Sequence, residues 1–210
     1  MKRLILIALA LLISECAAHE VENNAESYYN RGNAWCAKGD YDRAIANYSK
    51  AIEINERFAE AYGNRGGAYL VKSQYGQAIS DCTKAIELSP RFAEAYNNRG
   101  LAYKNKGQYN RAISDYNKAL EINPRYAEVY YNRGLAYAHK DQYEQSISDW
   151  TKAIEINPRY AEAYYNRGLA YYLNGEYYKS YPDIHKARSL GYLVHPEILK
   201  VLHKALGGLI

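Results

Sequence analysis

The chain has 210 residues, of which 24% are charged and 48% hydrophobic, and 25 are tyrosine. That is ordinary soluble material, enough for one elongated domain of moderate size. The net charge of +4 is mild and comes with no dense basic run, so nucleic acid is not an implied partner.

Met1–Ala18 reads as an export signal. Lys2 and Arg3 form the basic start, and Leu4–Ile13 is an apolar run of signal-core length, short for a bilayer span. Two cleavage outcomes compete, with an uncleaved anchor as a third alternative. Ile13-Ser14-Glu15-Cys16 resembles a bacterial lipoprotein box, which would leave Cys16 lipidated and tether the protein to a membrane surface. Glu15 departs from that box, which wants a small residue there. Cys16-x-Ala18 instead offers ordinary cleavage after Ala18. Residues 19–24 form a short polar linker.

Five blocks follow, at 25–58, 59–92, 93–126, 127–160 and 161–194, a spacing of 34 residues. Self-similarity at this period marks a helix–turn–helix array. Each block carries two helical stripes. In the central block Tyr96, Gly100 and Tyr103 step by four and three. After Gly107, the series Tyr109, Ala112, Ile113, Tyr116, Ala119 and Leu120 keeps helical rhythm. Gly39, Gly107 and Gly175 are expected to stop the first helices, with Ser73 and Asp141 as weaker terminators in the same slot. Asn123-Pro124 and Asn157-Pro158 should close the second helices, and the proline can then open the next helix.

Such short helix pairs cannot bury both stripes alone, so copies must stack. Small residues recur at fixed places: Gly32, Gly66, Gly100, Gly134 and Gly168, then Ala51, Ala85, Ala119, Ala153 and Ala187. Large ones fill between them: Tyr28, Tyr62, Tyr96, Tyr130 and Tyr164, then Trp35, Tyr69, Tyr103, Tyr137 and Tyr171. These residues resemble the tetratricopeptide repeat family, from Ala25 to about Val194. The family pattern often has leucine where this chain has Arg31, Arg65, Arg99, Arg133 and Arg167. An arginine in a core slot needs a partner. Sixteen residues on stand Asp81, Asp115, Asp149 and Asp183, with Asn47 in the first copy. The expectation is an Arg–Asp pair between the two helices of repeats two to five: Arg65–Asp81, Arg99–Asp115, Arg133–Asp149 and Arg167–Asp183.

Cys36 and Cys82 occupy different faces in the repeat frame. Cys82 replaces an aromatic and should pack as a small core residue, although an oxidising compartment would permit a disulfide. In the fifth block Pro182 falls inside the second helix and should kink or shorten it. His195–Leu206 reads as a terminal helix, with Pro196 near its start and Gly207-Gly208 at its end. Its apolar face is Ile198, Leu199, Leu202, Ala205 and Leu206. That face caps the array or docks another subunit, and Leu209-Ile210 would extend it.

No catalytic constellation, metal site or cofactor motif is present in the sequence. The histidines, at 19, 139, 185, 195 and 203, are scattered without ligand spacing. An active site needs one asymmetric cluster, which exact repetition does not provide. A binding role fits better. Asn30, Asn64, Asn98, Asn132 and Asn166 share one slot of the first helix, and an amide both donates and accepts. Neighbouring helices lie about 8–10 Å apart and an extended chain advances about 3.3 Å per residue. One asparagine could then hold roughly every third residue of a bound peptide. The row resembles the asparagine ladder in the repeat superhelix of O-linked N-acetylglucosamine transferase. Repeat consensus without a ligand is the alternative. Tyr131, Tyr165 and Tyr172 add aromatic surface, and Leu101, Leu135 and Leu169 add apolar surface. Other family members clamp a carboxylate with lysine in the groove. Here Glu94 stands at such a place, and Glu26, Glu60, Glu128 and Glu162 repeat it. These acids suit the helix dipole, which is reason enough for most of them; if they also face the groove, they would favour a basic or neutral peptide.

The expectation is therefore an all-α, right-handed α-solenoid of five helix–turn–helix repeats plus a C-terminal capping helix. Its expected role is that of a non-enzymatic scaffold binding an extended peptide or protein segment in its concave groove, in the bacterial cell envelope, without cofactor. Self-association into a homo-oligomer through the fifth repeat and cap, or service as an accessory subunit of an envelope enzyme, are the alternatives.

Overall fold

The computed structural model describes residues 24–207. The export segment with Cys16, most of the linker, and Leu209-Ile210 lie outside the described residues. Within them the fold is all-α, with eleven helices and no strand. Five pairs follow the sequence blocks: α1 (Ala25–Ala37) with α2 (Tyr41–Ile54), α3 (Ala59–Val71) with α4 (Tyr75–Leu88), α5 (Ala93–Asn105) with α6 (Tyr109–Ile122), α7 (Ala127–Ala138) with α8 (Tyr143–Ile156), and α9 (Ala161–Leu173) with α10 (Tyr177–Ser189). Helix α11 (Pro196–Ala205) follows. The chain divides into two compact units, one ending at Asn98 and the other beginning at Arg99 within α5.

The turn between paired helices is the same five times. Gly39 N–H donates to Cys36 O and Asp40 N–H to Trp35 O, the double bond that closes a helix on a left-handed residue. Gly39, Gly107 and Gly175 hold φ of 77°, 73° and 76°. Ser73 and Asp141 adopt the same region, at 58° and 57°, because the 6→1 bonds from Gln74 to Tyr69 and from Gln142 to Tyr137 force it. For a side-chain-bearing residue this costs about 1–2 kcal/mol.

The second helices end at Ile122 and Ile156, where Asn123 and Asn157 leave helical geometry. Pro124 and Pro158, which could open the next helices, do not. Those start three residues later, at Ala127 and Ala161. The asparagine side chain explains the delay: Asn123 Oδ1 accepts from Arg125 N–H and Asn157 Oδ1 from Arg159 N–H, both at 3.1 Å. This side-chain turn holds Pro-Arg in the connection and sets the following aromatic against the preceding first helix. Tyr160 thus meets Tyr131 at 4.9 Å between ring centroids, and Phe58 meets Tyr29 at 4.9 Å.

Packing within a pair rests on one glycine. A Cβ on Gly32, Gly100 or Gly134 would lie 2.5–2.6 Å from Tyr48, Tyr116 or Trp150 of the second helix. At Gly66 it would meet Cys82 Sγ at 2.6 Å, and at Gly168 the Ile184 side chain at 2.9 Å. All five large partners are buried. The small alanines Ala51, Ala85, Ala119, Ala153 and Ala187 are fully buried as well, so both elements of the small/large pattern serve close approach. Cys82 packs as a core residue, and no disulfide joins it to Cys36.

Helix α10 runs through Pro182 without a break and has 13 residues against 14 in each of α2, α4, α6 and α8. The missing residue is at the C-terminal end, where Gly191 at φ 94° and the bond from Tyr192 N–H to Ala187 O close the helix, so Pro182 neither breaks nor shortens it. Helix α11 starts at Pro196, and its His195 Nδ1 accepts from Glu197 N–H. Leu202 and Leu206 are buried, and Ile198 and Leu199 pack against Ile184, Val194 and Leu202 with Tyr165 and Leu169. Ala205, expected on this face, is exposed.

Candidate peptide-binding face

The arginines of repeats two to five are forks. Arg65 Nε and Nη2 donate to both oxygens of Asp81 at 2.7 and 2.9 Å, and its Nη1 donates to Ser49 Oγ of the preceding repeat at 2.9 Å. Arg133 repeats this with Asp149 and Asn117, and Arg167 with Asp183 and Thr151. Arg99 holds both oxygens of Asp115. Each fork joins the two helices of its own repeat, and those of Arg65, Arg133 and Arg167 also reach one repeat back. Burial disfavours the Arg65, Arg133 and Arg167 charges, but hydrogen bonds and charge from Asp81, Asp149 and Asp183 hold these guanidiniums above their ordinary range. Burial lifts the Asp149 carboxyl, against Arg133. The two bonds at 2.6 and 2.8 Å require a carboxylate acceptor, so the pair is ionised near neutrality. In the first repeat Arg31 is exposed and lies over the Tyr28 ring at 4.2 Å, while Asn47 turns back to Arg43 O. These arginines are structural struts.

The asparagine row is not a row of equivalent free amides. Asn30 is exposed, Asn64, Asn98 and Asn166 are half-buried, and Asn132 is buried. Asn64 Nδ2 donates to Tyr29 Oη at 3.1 Å and to Asn33 Oδ1 at 2.9 Å. Asn166 Nδ2 donates to Tyr131 Oη at 3.0 Å. Both amides therefore tie one first helix to the preceding one through a tyrosine 35 residues upstream. Their Oδ1 atoms accept no hydrogen bond. Tyr131, held between Tyr160 and Asn166, has its phenol pushed up to about 12, mainly by burial and then by Glu162 and Tyr192. Tyr165 stacks on Tyr192 at 4.4 Å, and Tyr172 sits 5.3 Å from Tyr177. These last two belong to the cluster under α11. The three tyrosines thus do not form one surface.

What the structure does open is a groove of about 260 Å³ between α7 and α9, floored by Tyr143 and Trp150 of α8. Leu135, Ala138 and His139 line one wall, and Asn166, Leu169 and Leu173 line the other. Of these, Leu135, Asn166 and Leu169 are legible in the sequence as first-helix surface. Ala138, His139 and Leu173 are not, because their slots hold a different residue type in each copy. Among the described residues no group of three metal-ligating side chains comes together, and no helix is long and apolar enough to cross a membrane.

Family models described as Tetratricopeptide repeat match residues 59–92, 93–126 and 115–148, and one described as TPR repeat matches 32–73 and 137–175. A crystal structure of MamA is 30% identical, with TM-score 0.69, over 76% of this chain and 93% of that one. The chain belongs to the tetratricopeptide repeat family. Proteins of this family are generally protein-interaction scaffolds. YrrB, described as a TPR protein with an unusual peptide-binding site, is 25% identical, with TM-score 0.68, over 90% of this chain and 96% of that one. The Pseudomonas aeruginosa pilF structure shares the fold, with TM-score 0.79 at 19% identity, over 87% and 84% of the two chains. No curated protein matches this TPR chain.

Proposed function

We propose that this protein is a non-catalytic interaction scaffold that holds an extended segment of a partner protein along the face of its first helices. The observation that carries this reading is the α7–α9 groove. It is apolar on both walls, bears one amide whose oxygen is left over, and at about 260 Å³ has room for one or two side chains. That is below the roughly 300–1,000 Å³ of small-molecule sites. The peptide-binding site of YrrB supports the same reading by similarity. The sequence of Met1–Ala18 supports export to the envelope, with Cys16 as the membrane tether if it is lipidated.

Leu173, 61% exposed at the mouth of the groove, provides the test. Peptides selected from a displayed random library should bind the native protein. Leu173→Glu should weaken them about tenfold or more, because it sets a charge against the apolar side chain entering the groove, with thermal unfolding unchanged. Unchanged binding would remove the groove from the account. Mass measurement of the mature N-terminus decides the fate of Cys16.

A second reading, self-association, is favoured by exposed apolar side chains at the fifth repeat and cap: Tyr178 at 73%, Leu193 at 93% and Val201 at 44%. Light scattering across a concentration series tests it, and a constant monomer mass would dismiss it.

A further inference from the structure

Lys104 is the one lysine among the described residues that is not exposed. Its ammonium makes no hydrogen bond or ion pair there, whereas those of Lys72, Lys84, Lys118, Lys152, Lys179 and Lys200 each sit beside a carboxylate. Burial lowers its ammonium pKa, and no acid offsets this. Its slot is informative. The residue 34 positions on is Ala138, in the wall of the α7–α9 groove. By the same register Leu101, Asn132 and Leu135 correspond to the groove's Leu135, Asn166 and Leu169. Lys104 therefore occupies, one repeat earlier, the place that alanine leaves open in the next.

The same change of slot also strands a buried hydroxyl. Tyr116 Oη is buried with no hydrogen-bond partner. The equivalent Tyr48 Oη reaches Asn33 and Cys36, at 2.8 and 3.5 Å. Those slots are Leu101 and Lys104 in the third repeat. In the third repeat the slots that satisfy Tyr48 in the first thus hold a leucine and a lysine, and the Lys104 ammonium is left without an acid.

We infer that the bound segment carries a carboxylate for Lys104 and, about three residues away, an apolar side chain for the Leu135–Leu169–Leu173 groove. The spacing follows from helices about 8–10 Å apart read by an extended chain at about 3.3 Å per residue. The glutamates at first-helix starts do not oppose this: Glu128 and Glu162 lie in first turns at exposed positions, where the helix dipole accounts for them. This inference rests on the groove reading above.

A displayed random peptide library selected on the full chain and on two variants tests it. The native protein should enrich Asp, Glu or a free C-terminus about three positions from Leu, Ile, Met or Phe. K104E should lose the acid preference and keep the apolar one. A138L, which fills the groove, should lose the apolar preference and keep the acid. A peptide selected on the native protein should bind K104M about tenfold more weakly, and the native affinity should fall as salt rises. Circular dichroism shows that each variant is folded, and K104M replaces K104E if it is not. Enriched peptides without an acid, or an acid preference that survives K104E, would overturn the inference while leaving the groove reading standing. Failure of the native protein to select any peptide would overturn both.

Discussion

Two tyrosines in the same slot meet opposite fates. Tyr48 Oη donates to Asn33 Oδ1 at 2.8 Å. Tyr116 Oη has no partner, because position 101, which corresponds to Asn33, is leucine. A buried hydroxyl left unsatisfied costs about 1–3 kcal/mol, and a made bond contributes about 1. Tyr48→Phe should therefore lower stability by about 1 kcal/mol, whereas Tyr116→Phe should leave it unchanged or raise it, measured by denaturant unfolding. The Arg133–Asp149 fork has a sharper consequence. Its side chains are 19% and 6% exposed, and removing one partner strands the other charge. Asp149→Ala should cost about 3–5 kcal/mol. The fork itself was legible in the sequence, since charge in a core slot demands an opposite charge, and the 16-residue spacing supplied one. The amide bonds were not. Asn166 depends on Tyr131 and Asn64 on Tyr29, and the slot of those tyrosines reads Tyr, Gly, Asn, Tyr, Tyr along the repeats. An alternation so irregular gives no periodic signal.

Helix ends were legible because glycine marks the slot in three copies and the other two must share its geometry. Ser73 holds φ of 58°, at a cost glycine does not bear. Ser73→Gly should stabilise the protein by about 1 kcal/mol, read from the denaturant midpoint at constant slope. The start of the next helix is less legible: proline can begin a helix, but the Asn123 and Asn157 side chains engage the backbone two residues on and keep Pro124 and Pro158 in the turn. Pro182 shows the reverse case. It lacks the N–H that would bond to the carbonyl of Tyr178, yet α10 continues. Its slot holds Ser148 and Ser114 in earlier copies, so Pro182→Ser restores a helix bond and should stabilise by up to about 3 kcal/mol.

At the scale of the molecule, tyrosine is both the filler and the alkaline weakness. Burial, first among the causes, raises the phenols of Tyr48, Tyr116, Tyr131 and Tyr160. Tyr131 rises from 10.0 to about 12. Between those values the unfolded chain has released the proton and the folded chain still holds it. Stability is thus fully present below about pH 10 and lost as pH rises through the folded value. Denaturant midpoints should fall from pH 10 upward, with tyrosinate absorbance from these rings appearing only as the fold is lost. The stacking of pairs follows from periodicity, because one pair cannot bury both stripes. The place of the groove does not. It opens where Ala138 is small and Leu173 stands at the rim, in slots the repeat leaves variable.

The account centres on the face of the first helices, and hydrogen exchange with a selected peptide addresses it directly. Amides in the second half of α7 and in α9 should slow on binding, while α8 and α10 stay unchanged. Protection confined to α10 and α11, or to the second helices, would contradict it.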